Sequence, residues 1–154
     1  MTGRPPVQHR DQAGRRKARK LAVRFPMPIY PCEFELPDNW LAQAGWLDDA
    51  GRRIFQPADE AYRSTRDARQ IDLKLIEPLG RYHGYEKDLR GFDRERMLNI
   101  LRGFDAGDII ESPEAIELPD RDFCRGLFRY RICDGVHRYF ASIAAGYSMI
   151  PLRL

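Results

Sequence analysis

The stretch that most constrains this chain is its C-terminal end, LFRYRICDGVHRYFASIAAGYSMIPLRL (127–154). Its hydrophobic pattern changes twice in that space. Leu127, Phe128, Tyr130 and Ile132 are available for burial from an extended segment. After it, Phe140, Ile143 and Ala144 recur at helical spacing, and Gly146 supplies a stop. MIPLRL then reads as a strand again. Between the first strand and the helix stand Asp134, Gly135, Val136, His137 and Arg138. The corner is therefore either a turn that holds something or an ordinary strand-to-helix corner that happens to be polar.

The preceding residues extend the pattern. IDLKLIEP alternates Ile71, Leu73 and Leu75 with Asp72 and Lys74, which predicts a half-buried strand ended by Pro78. LGRYHGYEKDLRG (79–91) is a glycine-bearing, aromatic and basic loop. FDRERMLNILRGFDAG predicts a helix, with Asp93 as N-cap, Met97, Leu98, Leu101 and Phe104 at 3–4 spacing, and Gly107 just past its end. An extended piece around Ile109-Ile110 and a strand over Ala115–Leu118 complete the set. The order strand, loop, helix, strand, strand, helix, strand implies a small mixed sheet with packed helices, an α+β domain over 71–154.

Residues 21–70 read as a proline-rich extension. Pro26, Pro28, Pro31 and Pro37 exclude a helix and favour extended or polyproline-like backbone. Asp38 is placed to cap a short helix carrying Trp40 and Leu41, and WLDDAGRRIF predicts two short strands around a turn. Trp40, Trp46, Ile54 and Phe55 are expected to pack onto the main body, with a ligand platform as the alternative.

Charge separates the first 20 residues from the rest. They carry seven basic side chains (Arg4, Arg10, Arg15, Arg16, Lys17, Arg19, Lys20) against Asp11 alone, a charge of +6, which leaves −3 for the remainder of a chain whose total is +3. With few apolar residues, residues 1–20 are expected to be a disordered basic tail, which either contacts DNA phosphates or merely solubilises the chain. No apolar run reaches the ~20 residues of a membrane span, and the N-terminus has no secretory apolar core. Three cysteines without CxxC spacing indicate neither a disulfide framework nor a zinc site, so a cytoplasmic location is expected.

The physics of the 134–138 corner defines what it can hold. The first N–H groups of a helix have no internal partner, and the positive end of the macrodipole stands behind them. Gly135 permits close backbone approach, so the amides of Gly135, Val136 and His137 can ring a phosphate. Arg138 adds a planar cation. Asp134 can hold a magnesium-bound water or accept a proton, and His137 can donate to phosphate or shuttle a proton. The plain alternative makes Asp134 a helix cap and the His137-Arg138 pair solvated first-turn residues.

Strand, Asp-Gly-Val-His-Arg, an alanine-bearing helix ending in glycine and a strand opening Ile-Pro-Leu together resemble the ParB/sulfiredoxin superfamily. Its members show a Gly-x-[His/Arg]-Arg turn at this place and an Ile-Pro-Val strand after the helix. The resemblance covers 71–154, and residues 1–70 lie outside it. Sulfiredoxins carry Gly-Gly-Cys-His-Arg; Val136 stands in place of that cysteine, and Cys133 comes three residues too early, so their activity is not expected. Partition proteins carry Gly-Glu-Arg-Arg, bind CTP and follow it with a helix-turn-helix that this sequence, ending at Leu154, lacks. Free-serine kinases carry Asp-Gly-His-His-Arg, which differs here only at Val136.

The resemblance implies a nucleotide (ATP, ADP or CTP) with Mg2+, bound by Gly135, Val136, His137 and Arg138. The residues of the 79–91 loop suit a lid over it, with Arg81, His83 and Arg90 contributing charge, the alternatives being a protein or nucleic-acid contact or a plain loop. The resemblance also implies Asp134 and His137 as catalytic candidates, and Glu77 as the base that activates a substrate hydroxyl; a strand-end carboxylate in water is the alternative for Glu77. Two function classes follow. One is a phosphotransferase or NTP hydrolase, the other a non-catalytic, nucleotide-switched ParB-type module that uses the basic tail for DNA. No paired acidic cluster indicates two-metal nuclease chemistry.

Overall fold

The computed structural model describes residues 22–29, 32–79, 91–119 and 127–154. The expectations for the basic tail, for Arg81 and for most of the 79–91 loop lie outside the described residues.

The proline-rich stretch forms an antiparallel hairpin of β1 (Ala22–Pro26) and β2 (Glu33–Pro37). Pro26 and Pro37 sit at the ends of the ladder, where a missing N–H disturbs pairing least. Helix α1 (Asp38–Gln43) follows directly. Pro37, not Asp38, takes the cap position, and Asp38 lies in the first turn, where its charge suits the dipole. The two strands expected over 46–55 reduce to one bridged pair, Leu47 with Arg53, around a turn in which the Asp48 carboxylate accepts the amides of Ala50 and Arg52.

Strand β3 (Arg69–Asp72) begins two residues earlier than the alternation predicts and ends early. Leu73–Leu75 is a 3₁₀ turn, because the Asp72 carboxylate accepts the Lys74 amide and draws the backbone out of the ladder. Helix α2 (Arg94–Ala106) has the predicted cap at Asp93 and ends at Gly107 in the left-handed conformation. Ile109-Ile110 lies in an irregular segment before β4 (Glu114–Glu117). Strand β5 (Tyr130–Asp134), helix α3 (Val136–Ala145) and strand β6 (Met149–Leu152) finish the chain.

β3 pairs antiparallel with β6, and β4 with β5. Parallel bridges from Glu114 to Arg153 and from Ile76 to Tyr130 join the two ladders at both sides. The four strands and the helices α2 and α3 make an α+β fold.

The expected boundary at 70/71 is not a packing boundary. Met97, Leu98 and Leu101 of α2, Phe140, Ala141 and Ala144 of α3, and Ile150 and Leu152 of β6 share one core with Leu36, Trp40 and Trp46. The Phe34 ring stands 5.0 Å from Phe140 and 6.3 Å from Phe92. Trp46 stacks on Phe55 at 4.3 Å and donates its indole N–H to the Leu101 carbonyl at 2.9 Å. Packing is thus the role of the tryptophans. Each such buried side chain contributes about 1.5–3 kcal/mol, which is why residues 22–70 are not separable from the rest. Arg53 lies over the Trp46 ring and donates to the Ala145 carbonyl at 2.6 Å, closing the end of α3; burial pulls its guanidinium below the ordinary arginine pKa. Among the described residues, no helix is long and apolar enough to cross a membrane.

Candidate functional site

Helix α3 starts from a glycine that nothing else can replace without rearrangement. Gly135 is buried and has φ 97°, and a Cβ there would stand 2.7 Å from the Pro113 Cβ and 3.0 Å from its Cα. Gly135 is the N-cap of α3 and has no side chain with which to cap it; the first turn contains no acidic residue. Among the described residues, then, no side chain caps the head of α3, where the positive end of the dipole lies.

A bulge sets the direction of approach. Glu114 pairs with Asp134 and Ala115 with Ile132, so Cys133 is the extra residue on β5. Such an insertion bends its strand and re-aims the side chain beyond it. That side chain is Asp134, whose carboxylate is 76% exposed. Among the described residues, no group of three histidines, cysteines or carboxylates could hold a metal ion.

Arg138 departs from expectation. Its Nη1 donates to the carbonyls of Glu111 at 2.9 Å and Ser112 at 3.1 Å, and its Nη2 stands 3.5 Å from Asp134 Oδ2. The guanidinium, only 17% exposed, ties the irregular 111–112 segment to α3. It is not the open fork the sequence led us to expect, because two carbonyls without ladder partners compete for its donors. Its charge still lies at the corner: Nε is 3.1 Å from where a Gly135 Cβ would be. Beside this anchor, the buried Ser112 hydroxyl has no hydrogen-bond partner among the described residues.

His137 also differs. Its Nε2 accepts the Asp93 amide at 2.9 Å, and its ring meets Phe92 edge-on at 5.8 Å. A nitrogen that accepts an amide carries no proton to donate, so the Nε2 side of the ring joins the heads of α2 and α3 and does not serve phosphate. Glu77 is neither a free base nor a carboxylate in water. Arg131 of β5 grips it from Nε at 2.5 Å and Nη2 at 3.4 Å, and its side chain is 19% exposed.

The corner thus brings together Asp134, Gly135, Val136, His137 and Arg138, and gives Glu77 an arginine partner. Sequence reasoning missed Arg131, the Asp93–His137 bond and the two carbonyls that hold Arg138. An arginine three residues before Asp134 was visible, but its partner 54 residues away was not. No protein-family model, no curated protein and no solved structure matches this chain.

Proposed function

We propose that the chain binds the phosphates of a nucleotide at the head of α3, as a domain of ParB/sulfiredoxin kind, and acts as a binding module in preference to a phosphotransferase. One observation carries the reading. Among the described residues no side chain caps the start of α3, while an exposed carboxylate and a guanidinium flank it. An anion at a helix N-terminus accepts from the first amides and meets the positive end of the dipole. The ParB/sulfiredoxin resemblance of the Asp-Gly-Val-His-Arg turn supports the same assignment.

Asp134 fits Mg2+ in the manner usual for nucleotide sites, through one carboxylate together with phosphate oxygens and water. When bound, the ion supplies neutralisation of phosphate charge. Asp134 would orient it, the Val136 and His137 amides would bind oxygens, and Arg138 would hold the wall of the corner and lend its charge. Two contacts favour the module. Arg131 grips Glu77, and His137 Nε2 accepts the Asp93 amide, so both side chains tie elements of the fold together.

Thermal unfolding with ATP, ADP, CTP and GTP, each with and without Mg2+, tests the reading. At a nucleotide concentration about 100-fold above Kd, Tm should rise by about 5–10 °C for a chain of this size. Phosphate release should stay at background. The absence of any shift with all four nucleotides sinks the binding assignment; turnover that is lost in Asp134→Ala sinks the preference for a module.

A further inference from the structure

A groove of about 340 Å³ lies between the C-terminal end of α2 and the 54–63 segment, away from the α3 corner's own residues. Its floor is aromatic. Tyr62 stacks on Phe104 at 4.9 Å, and Tyr147 meets them edge-on at 6.2 and 5.3 Å. Asp59, Asp105 and Asp108 are exposed around it, and none forms an ion pair among the described residues. Arg63, the basic residue of the lining, donates to the Gly107 carbonyl at 3.1 Å, and three carboxylates against this one guanidinium leave the lining net negative.

These carboxylates are not set for a metal ion, since no group of three such ligands among the described residues could hold one. Carboxylates spread around aromatic faces suit a larger organic cation. A guanidinium pairs with carboxylates through its planar fork and lies on a ring face. Ile54, 58% exposed at the rim, offers apolar surface for the methylene stem of such a side chain.

The sequence contains an occupant of that chemistry. Residues 1–20 carry +6, five of them arginines, and the remainder carries −3. They join the described structure at Ala22, which pairs with Pro37 at the start of α1. Helix α1 leads from there to Gly45, where a Cβ would stand 3.4 Å from the Asp105 carboxylate. A 21-residue segment reaches up to about 70 Å when extended. The radius of gyration of a chain this long is about 15 Å, so the groove is within reach.

We propose that this acidic, aromatic-floored groove is the docking site of the chain's own basic N-terminal segment, Arg4 to Lys20. Docking there withholds those cations from other polyanions, and it stands independently of the nucleotide reading.

Limited trypsin digestion of the full-length protein tests it, because Arg15, Arg16, Lys17, Arg19 and Lys20 are cleavage sites. Asp105→Asn/Asp108→Asn should be cut in this segment about fivefold faster than the parent at low salt, with the difference vanishing near 0.5 M salt. Equal rates at low salt overturn the proposal. Amide spectra of full-length Arg15→Gln/Arg16→Gln provide the second arm. Shifts at Asp105, Asp108 and Tyr147 relative to the parent are expected, and unmoved signals there overturn it. Shifts that grow with protein concentration, together with a dimeric mass, also overturn it, because the occupant would then be a second copy.

Discussion

Helix α2 starts with its amides taken. The Asp93 carboxylate accepts the Arg96 N–H at 2.9 Å, and the Asp93 N–H is itself given to His137. Helix α3 starts at a glycine that offers nothing, with the carboxylate of the preceding Asp134 exposed and 3.5 Å from Arg138. The two helices pack against each other and their heads are joined by the Asp93–His137 bond, so they share an environment and differ only in who satisfies the first turn. A capped head is a folding device. Among the described residues no side chain caps the head of α3, and the binding proposal puts an anion in that place.

The sharpest way to break this comparison is to exchange what stands at each cap position for alanine. Gly135→Ala forces a Cβ against Pro113 in a left-handed conformation and should cost about 3 kcal/mol, read as a lower urea midpoint. A loss no larger than that of a surface substitution means that the corner relaxes freely and is not built around its glycine. Asp93→Ala should cost less, a Tm decrease of about 2–4 °C, because only one amide loses its acceptor.

The same cap sharpens the comparison through pH. The Arg96 amide, the largest cause, holds the Asp93 carboxyl below its ordinary value of 3.8. A lowered folded pKa means the charged cap contributes fully above the ordinary value and loses its contribution as pH falls through the folded one. Asp93→Asn keeps the acceptor without the charge. Circular dichroism below pH 4 should therefore show the parent losing its advantage over Asp93→Asn; a constant difference from pH 7 to pH 2 would remove the charge from the account of α2.

The smallest expected effect on stability is at α3. Asp134→Ala removes a solvated carboxylate with one long contact and should change Tm by no more than about 1–2 °C. Under the binding proposal it should also abolish the part of the nucleotide stabilisation that depends on Mg2+. An unchanged Mg2+ dependence would detach Asp134 from ion binding and leave the amides alone at the site.

Much of the fold was legible in sequence for a local reason. Asp93, the 3–4 spacing of Met97, Leu98, Leu101 and Phe104, and Gly107 lie within one helix, and the structure places its ends at Arg94 and Ala106. β4, β5, α3 and β6 were legible in the same way. The failures have local causes as well: Asp72 turned a predicted strand into a 3₁₀ turn, and Pro37 displaced Asp38 from the cap of α1. That Trp40, Trp46 and Phe55 pack onto the main body was legible, but the partners each would meet were not, because they are distant in the chain. Phe34 and Phe140, like Trp46 and Leu101, carry no mark of each other in the sequence.

By itself, the sequence determined the residue types at the corner, the helical period behind them and a glycine where the backbone must turn left-handed, because each depends on neighbours a few bonds away. Only the tertiary structure decided what those residues do. Arg138 is held by carbonyls 26 and 27 residues distant, His137 by an amide 44 away, and Glu77 by an arginine 54 away. Hydrogen bonds act over about 3 Å of space and are indifferent to separation along the chain, so side chains that read as free in sequence are claimed once the backbone brings their partners alongside.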